Sequence, residues 1–305
     1  MRDRCLSDFW RENSEDRVAE LASVLQGADG MIGVMGSGVR AIWSTNGNSE
    51  TYWMRVNSDK PTEMRVFLDY SPLSQLKPPF IGRAVDEVIG YAAHEGGHCL
   101  WTSGDTAKQS LTDLISRLPM FKPVATGRRR RKVKSSASVR GKSSASVGGI
   151  LTPTIQPSEA QVKEALRVHN IIEDAYIDYH VAEKWPVLGE YIQWSRNKIH
   201  EERPIDFTRI AAQDKPARNH VMNLWIACSL YSQDIPDNMS DSVTEAIGFL
   251  MKASVQAVKT ESNYGRCEIA ASCWEVLQAF PENPDPLPRE KSSAKSSASV
   301  GGKPE

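Results

Sequence analysis

Cysteine is too scarce and too irregularly placed here to form a covalent scaffold. The 305 residues hold five cysteines, an odd number with no CxxC spacing. That excludes a disulfide framework and a cysteine-based zinc module. Long apolar runs are missing as well: no stretch approaches the ~18 residues that a membrane-spanning helix needs. The opening residues MRDRCLSDFWRENSEDR are charged and amphipathic, without an apolar signal core, so the expected setting is the reducing cytoplasm. Net charge is nearly nil: 37 Lys+Arg against 38 Asp+Glu give a formal charge of -1. No overall field therefore draws the chain to nucleic acid or to a membrane surface. What is left is an ordinary globular composition, 40% hydrophobic and 25% charged, enough to bury a core.

Low-complexity sequence sets the boundaries. From Gly127 to Gly149 the chain reads GRRRRKVKSSASVRGKSSASVGG, and the octamer that begins at Lys142 returns at Lys295. Such Ser/Gly/Lys sequence has nothing to bury, so a flexible linker is expected over 123–157 and a disordered tail over 287–305. Residues 1–122 and 158–286 then form the ordered parts. In the first, Phe9, Trp10, Val18, Leu21 and Leu25 predict a helix over Ser7–Leu25. VRAIWS from Val39, TYWMRVN from Thr51 and EMRVFLDY from Glu63 predict strands; the turn-rich NGNSE and NSDKP between them predict an antiparallel meander. GVMGSG at Gly33–Gly38 lacks the Lys-Ser/Thr of a phosphate loop and reads as a turn entering the first strand.

A helix is predicted over Pro78–Trp101, and others over Ser158–Lys184, Ala217–Ser232, Asp241–Thr260 and Arg266–Phe280. Ser158 followed by Gln161 makes a capping box for the second of these. Trp225 and Trp274 fall in apolar helical patterns and are expected in the core. Strands followed by helices, without alternation, indicate an α+β class: a small antiparallel sheet packed on one helix, then a helical C-terminal part.

The chemistry concentrates in GYAAHEGGHCLW. His94 and His98 lie four residues apart, so on a helix both imidazoles leave the same face, one turn apart. Two imidazoles and a carboxylate suit zinc, with a position left open for water. Glu95, next to the first imidazole, is placed to act as general base. Gly96 and Gly97 each cost about 1 kcal/mol in a helix interior, which makes sense where something packs closely against them. The Cys99 side chain points about a quarter-turn away from His98 and reads as packing. EMRVFLDY, just before this helix, offers an edge along which an extended peptide could pair.

A third ligand is available in RVHNIIEDAYIDYHVAEKW, whose stripe of Val168, Ile171, Ile172, Ala175, Tyr179 and Ala182 predicts an amphipathic helix. His169, Glu173, Tyr176 and His180 share one flank; Asp174 and Asp178 share the other. Glu173 is the first choice for the ligand. Asp174 competes with it, because Asp178 four residues later can support it or a ligating histidine. Tyr176, His180 and His169 are candidate donors to the oxyanion of a tetrahedral intermediate.

HEGGH followed at a distance by NIIEDAYID resembles the HExxH-Glu zincins, the gluzincin-like metallopeptidases. More narrowly, it resembles the metallopeptidase-like region of phage cobaltochelatase T-subunit-like proteins and of bacterial relatives carrying a von Willebrand A domain. In those an HExxH helix is followed, after a variable insert, by an N-x-x-E-D helix, matched here by Asn170, Glu173 and Asp174. The resemblance spans Val39 to Trp185. It implies a zincin-like fold, Zn2+ held by His94, His98 and Glu173, Glu95 as catalytic base, and endopeptidase action on a protein or peptide. The longer relatives imply an AAA+ ATPase partner, although no DxSxS motif of a von Willebrand A domain occurs in this sequence. Two other classes compete: a non-catalytic zinc-containing adaptor or phage accessory protein, and nucleic-acid binding through Arg128–Lys132.

Overall fold

The computed structural model describes residues 15–35, 39–44, 49–55, 62–102, 104–121, 156–202, 204–211, 213, 216–235 and 237–282. The expected linker up to residue 155, the expected tail, the Arg128–Lys132 run and the start of the expected first helix lie outside the described residues. Helix α1 (Glu15–Val34) leads into strands β1 (Arg40–Trp43), β2 (Glu50–Arg55) and β3 (Thr62–Leu68). The short α2 (Ser71–Ser74), α3 (Gly82–Trp101) and α4 (Gly104–Ser116) follow, and a 3-10 turn at Pro119–Phe121 closes this part. Helices α5 (Glu159–Lys184), α6 (Pro186–Glu202), α7 (Phe207–Ala211), α8 (Arg218–Leu230), α9 (Asp241–Val258) and α10 (Asn263–Leu277) make up the rest. The protein is mostly helical with a small mixed sheet, an arrangement compatible with the α+β class.

The strands do not form the expected meander. β3 lies in the centre, in the order β1-β3-β2, antiparallel to β2 and parallel to β1. Val66 and Leu68 of β3 are fully buried, and β1 is only four residues long. A strand with fully buried residues thus takes the middle, and a short one caps an edge. EMRVFLDY is therefore paired on both sides; the outer strand beside the candidate site is β2.

Ala41, Val66 and Leu68 of the sheet pack against Ala28 and Ile32 of α1 and Ala92 of α3. Helix α3 runs through the middle of the molecule, and its glycines admit neighbours on three sides. A Cβ at Gly90 would strike the Tyr191 carbonyl of α6; one at Gly96 would lie 2.8 Å from Met35 Sδ; one at Gly97 would overlap the Ile177 and Val181 methyls of α5. Gly33 and Val34, read as a turn, belong to α1, which continues well past Leu25.

Helix α5 opens with the expected capping box: Gln161 N donates to Ser158 Oγ at 3.3 Å, and Ser158 N to Gln161 Oε1 at 2.8 Å. Its buried arc follows the expected stripe only in part: Val168, Ile171 and Ile172 are buried, Ala175 is half-buried and Ala182 is exposed. Tyr179 is 49% exposed, while His169, Glu173, Tyr176, Ile177 and Val181 are buried. The reason is that α5 is covered from two directions, by α3 on one side and by α9 and α10 on the other, so its buried arc takes in polar residues. Trp225 and Trp274 are fully buried in the core shared by α4, α5, α8, α9 and α10, as expected. Their indole N–H groups donate to Ser254 Oγ and Glu164 Oε2, each at 3.0 Å. No described helix is long and apolar enough to cross a membrane.

Candidate metal centre

Helix α3 places the two histidines as the four-residue spacing predicts. His94 and His98 stand edge to face with ring centroids 4.7 Å apart, and their Nε2 atoms approach to 3.1 Å. From α5, Asp174 Oδ1 joins them, 3.3 Å from His98 Nε2 and 3.6 Å from His94 Nε2. Ligand atoms ~2.0–2.1 Å from a tetrahedral centre lie about 3.3 Å from one another. The three atoms are thus spaced as a small cation would space them, and among the described residues they form a group able to hold one.

Glu173, the first choice for the third ligand, is taken up by other partners. Its carboxylate is 1% exposed and lies in the fork of Arg266 from α10, at 2.5 Å to Nε and 3.2 Å to Nη2. One residue along an α-helix is a turn of about 100°, which is what sends Glu173 toward α10 and Asp174 toward α3. Asp178, the expected supporting carboxylate, takes that part for a histidine: its Oδ1 lies 2.6 Å from His94 Nδ1.

Arg196 of α6 ties the two aspartates together, donating to Asp174 Oδ2 at 3.2 Å and Asp178 Oδ2 at 3.1 Å. Each aspartate keeps its other oxygen for a histidine. Burial and the Arg196 charge act to strip a proton from His94, but Asp178 and Asp174 outweigh them and push the imidazole up to about 10. Burial alone would raise the Asp174 carboxyl; the His94 charge, the close approach of both imidazoles and Arg196 hold it well below the usual range. Asp178 is depressed in the same way, by Arg196 and His94 against its own burial. The environment favours positive charge at this point, as a cation site must.

These groups form the wall of a cleft of about 710 Å³. Glu95 lines it, 6% exposed, with Thr51 Oγ1 of β2 donating to Oε2 at 2.5 Å. Farther along are Glu50, Asp69, Glu202 and Glu87; burial raises the Glu87 carboxyl, which accepts from Tyr91 at 2.6 Å.

His94, His98, Glu95 and Glu173 therefore gather at the cleft, whereas Tyr176 and His180 do not line it. Tyr176 lies under the Arg266 guanidinium, 3.9 Å from its ring centroid, and His180 Nε2 reaches the Val258 carbonyl at 3.1 Å. His169 sits behind Glu173, buried, its Nε2 3.5 Å from Oε1 with no hydrogen bond at that nitrogen. Arg196, Arg266, Thr51 and Thr102 escaped the sequence reading, each being far from the motif along the chain or of a common residue type. A single signal was available: Pro186 at the first position of a helix marks the start of α6, which carries Arg196.

Compared with known proteins, the chain matches no family model, no curated protein and no solved structure.

Proposed function

We propose that the protein is a zinc-dependent metallopeptidase, with His94, His98 and Asp174 as the ligands and Glu95 as the general base. The observation that carries this reading is the convergence of two imidazole nitrogens and one carboxylate oxygen on a cleft wall, beside a second carboxylate. Three protein ligands leave one side open to the cleft, which favours catalysis over the closed four-ligand site of an adaptor. Bound there, zinc supplies Lewis-acid chemistry, acidifying water and polarising a carbonyl.

The chain's own groups do the rest. Asp178 accepts from His94 Nδ1 and so turns Nε2 toward the cleft. Arg196 occupies the outer oxygen of Asp174, leaving one oxygen to ligate. Glu95 takes the proton of the attacking water and passes it to the leaving amine, held in place meanwhile by the Thr51 hydroxyl. An extended peptide has a strand to lie against in β2, an outer strand of the sheet whose first residues line the cleft.

Elemental analysis after zinc loading is the test. About one zinc per chain is expected in the wild type, lost in His94→Ala and Asp174→Ala. Glu95→Gln should keep the metal while hydrolysis of a peptide library falls about 10²–10⁴-fold. A wild type that takes up no zinc, or a Glu95→Gln variant of full activity, would sink the reading.

A further inference from the structure

Arg266 has five N–H groups, and each meets an oxygen. Nε and Nη2 grip Glu173, Nη2 also reaches the Trp101 carbonyl at the end of α3, and Nη1 donates to the Thr260 and Glu261 carbonyls at 3.0 and 2.8 Å. Arg266 and Glu173 are each 1% exposed, so water does not compete for either. In that fork Glu173 is a carboxylate with lone pairs alone to offer. Its Oε2 lies 3.0 Å from Thr102 Oγ1, and the hydroxyl must be the donor.

Thr102 has one hydroxyl proton, and Glu173 has taken it. The same Oγ1 lies 2.9 Å from His98 Nδ1, so there the hydroxyl accepts and the imidazole donates. We propose that Glu173 is a positioning residue which, through Thr102, fixes His98 as its Nδ1–H tautomer and leaves Nε2 bare toward the cleft. Of the two Nε2 atoms, 3.1 Å apart, one must accept from the other; with the proton of His98 on Nδ1, His98 Nε2 is that acceptor, and Asp174 Oδ1, 3.3 Å from it and 3.6 Å from His94 Nε2, is left to His94. Asp178 holds His94 Nδ1 as a donor directly, and in the metal-free protein His94 keeps a proton on Nε2 as well, whereas Glu173 holds His98 Nδ1 one hydroxyl removed. The consequence for metal affinity rests on the ligand reading above. The tautomer itself does not, and is visible without any metal.

The test is nitrogen NMR of the metal-free protein, 15N-labelled at histidine, at mildly alkaline pH, with His98 assigned by comparison with His98→Gln. A free imidazole favours the Nε2–H form, so a protonated Nδ1 and bare Nε2 on His98 is the distinctive expected result. Thr102→Val keeps the side-chain shape and removes the acceptor; it should move His98 toward the Nε2–H form. Zinc affinity, measured against a chromophoric chelator, should fall about 10–100-fold in that variant. Thr102→Ser should restore both tautomer and affinity. A wild-type His98 in the Nε2–H form overturns the proposal by itself, whether or not the valine variant folds. So does a His98 tautomer unmoved in a folded Thr102→Val. A protein with the expected tautomers but no peptidase activity would sink the proposed function and leave this inference standing.

Discussion

At Gly97 a single methyl group separates two outcomes. Alanine is favoured over glycine by about 1 kcal/mol in a helix interior, and Gly30 of α1, with nothing within 4 Å of an added Cβ, shows that gain undisturbed. At Gly97 the new methyl overlaps Ile177 and Val181. Such overpacking costs about 1–3 kcal/mol, so it outweighs the propensity. Urea unfolding should find Gly30→Ala more stable than the wild type and Gly97→Ala less stable. Equal stabilisation in both would mean that α3 and α5 do not touch where the structure has them touching. The two helices carry His94, His98 and Asp174, so Gly97→Ala should also weaken zinc binding. At this same scale the sequence was legible up to one residue. Four-residue spacing assigns both histidines to one face, but Glu173 and Asp174 are adjacent, and periodicity does not say which side of α5 meets α3. The tie is broken by Arg266, far along the chain, which takes Glu173 for itself.

Among the elements, those whose signals are local were the easiest to read. The Ser158–Gln161 box marks the start of α5, and the ends of α8, α9 and α10 fall near their expected positions. Strand order is different, because turn residues specify a hairpin between β2 and β3 but say nothing about where β1 pairs. Helices α4 and α6 went unread. Helix α6 buries few of its residues, Ile192 and Ser195 chief among them, so it presents no broad apolar stripe. Helix α10 yields a test of its own. Its Cys267 and Cys273 are fully buried; burial, with Glu173 nearby, pushes Cys267 up to about 11, and burial alone pushes Cys273 up to about 12. Thiolate is the reactive form. At neutral pH neither cysteine should react with a thiol-specific reagent in the native protein, and both should react at the rate of unfolding as urea is added. Labelling of Cys273 in the absence of denaturant would mean that α10 does not stay packed against α5, and the Arg266–Glu173 fork would lose its support.

For the whole molecule, the near-neutral sum of charges conceals a local imbalance. The formal charge is -1, yet Glu50, Asp69, Glu87 and Glu202 line the same cleft as Glu95 and Asp174. A cleft with walls of low dielectric concentrates such a field, and Arg196 is the cation that already answers it there. His94 and His98 belong to the helix that carries the sheet, and Asp174 belongs to the helix at the centre of the C-terminal bundle. A metal joining them ties the two parts of the fold together, and binding to the native state alone adds to stability by mass action. At a thousandfold excess over Kd that amounts to about 4 kcal/mol. For a protein of this size the gain corresponds to a rise in Tm on the order of 10 °C. Zinc added to chelator-treated protein should therefore raise Tm by that order, and renewed chelation should reverse the rise. Asp174→Ala should show none of it, because the bundle then contributes no ligand. Thr102→Val should show a smaller rise at the same zinc concentration, since its affinity is lower and its ligands are intact. If the wild type melts at one temperature with and without zinc, no ion bridges α3 and α5, and the cluster of His94, His98 and Asp174 is held together by Asp178 and Arg196 alone.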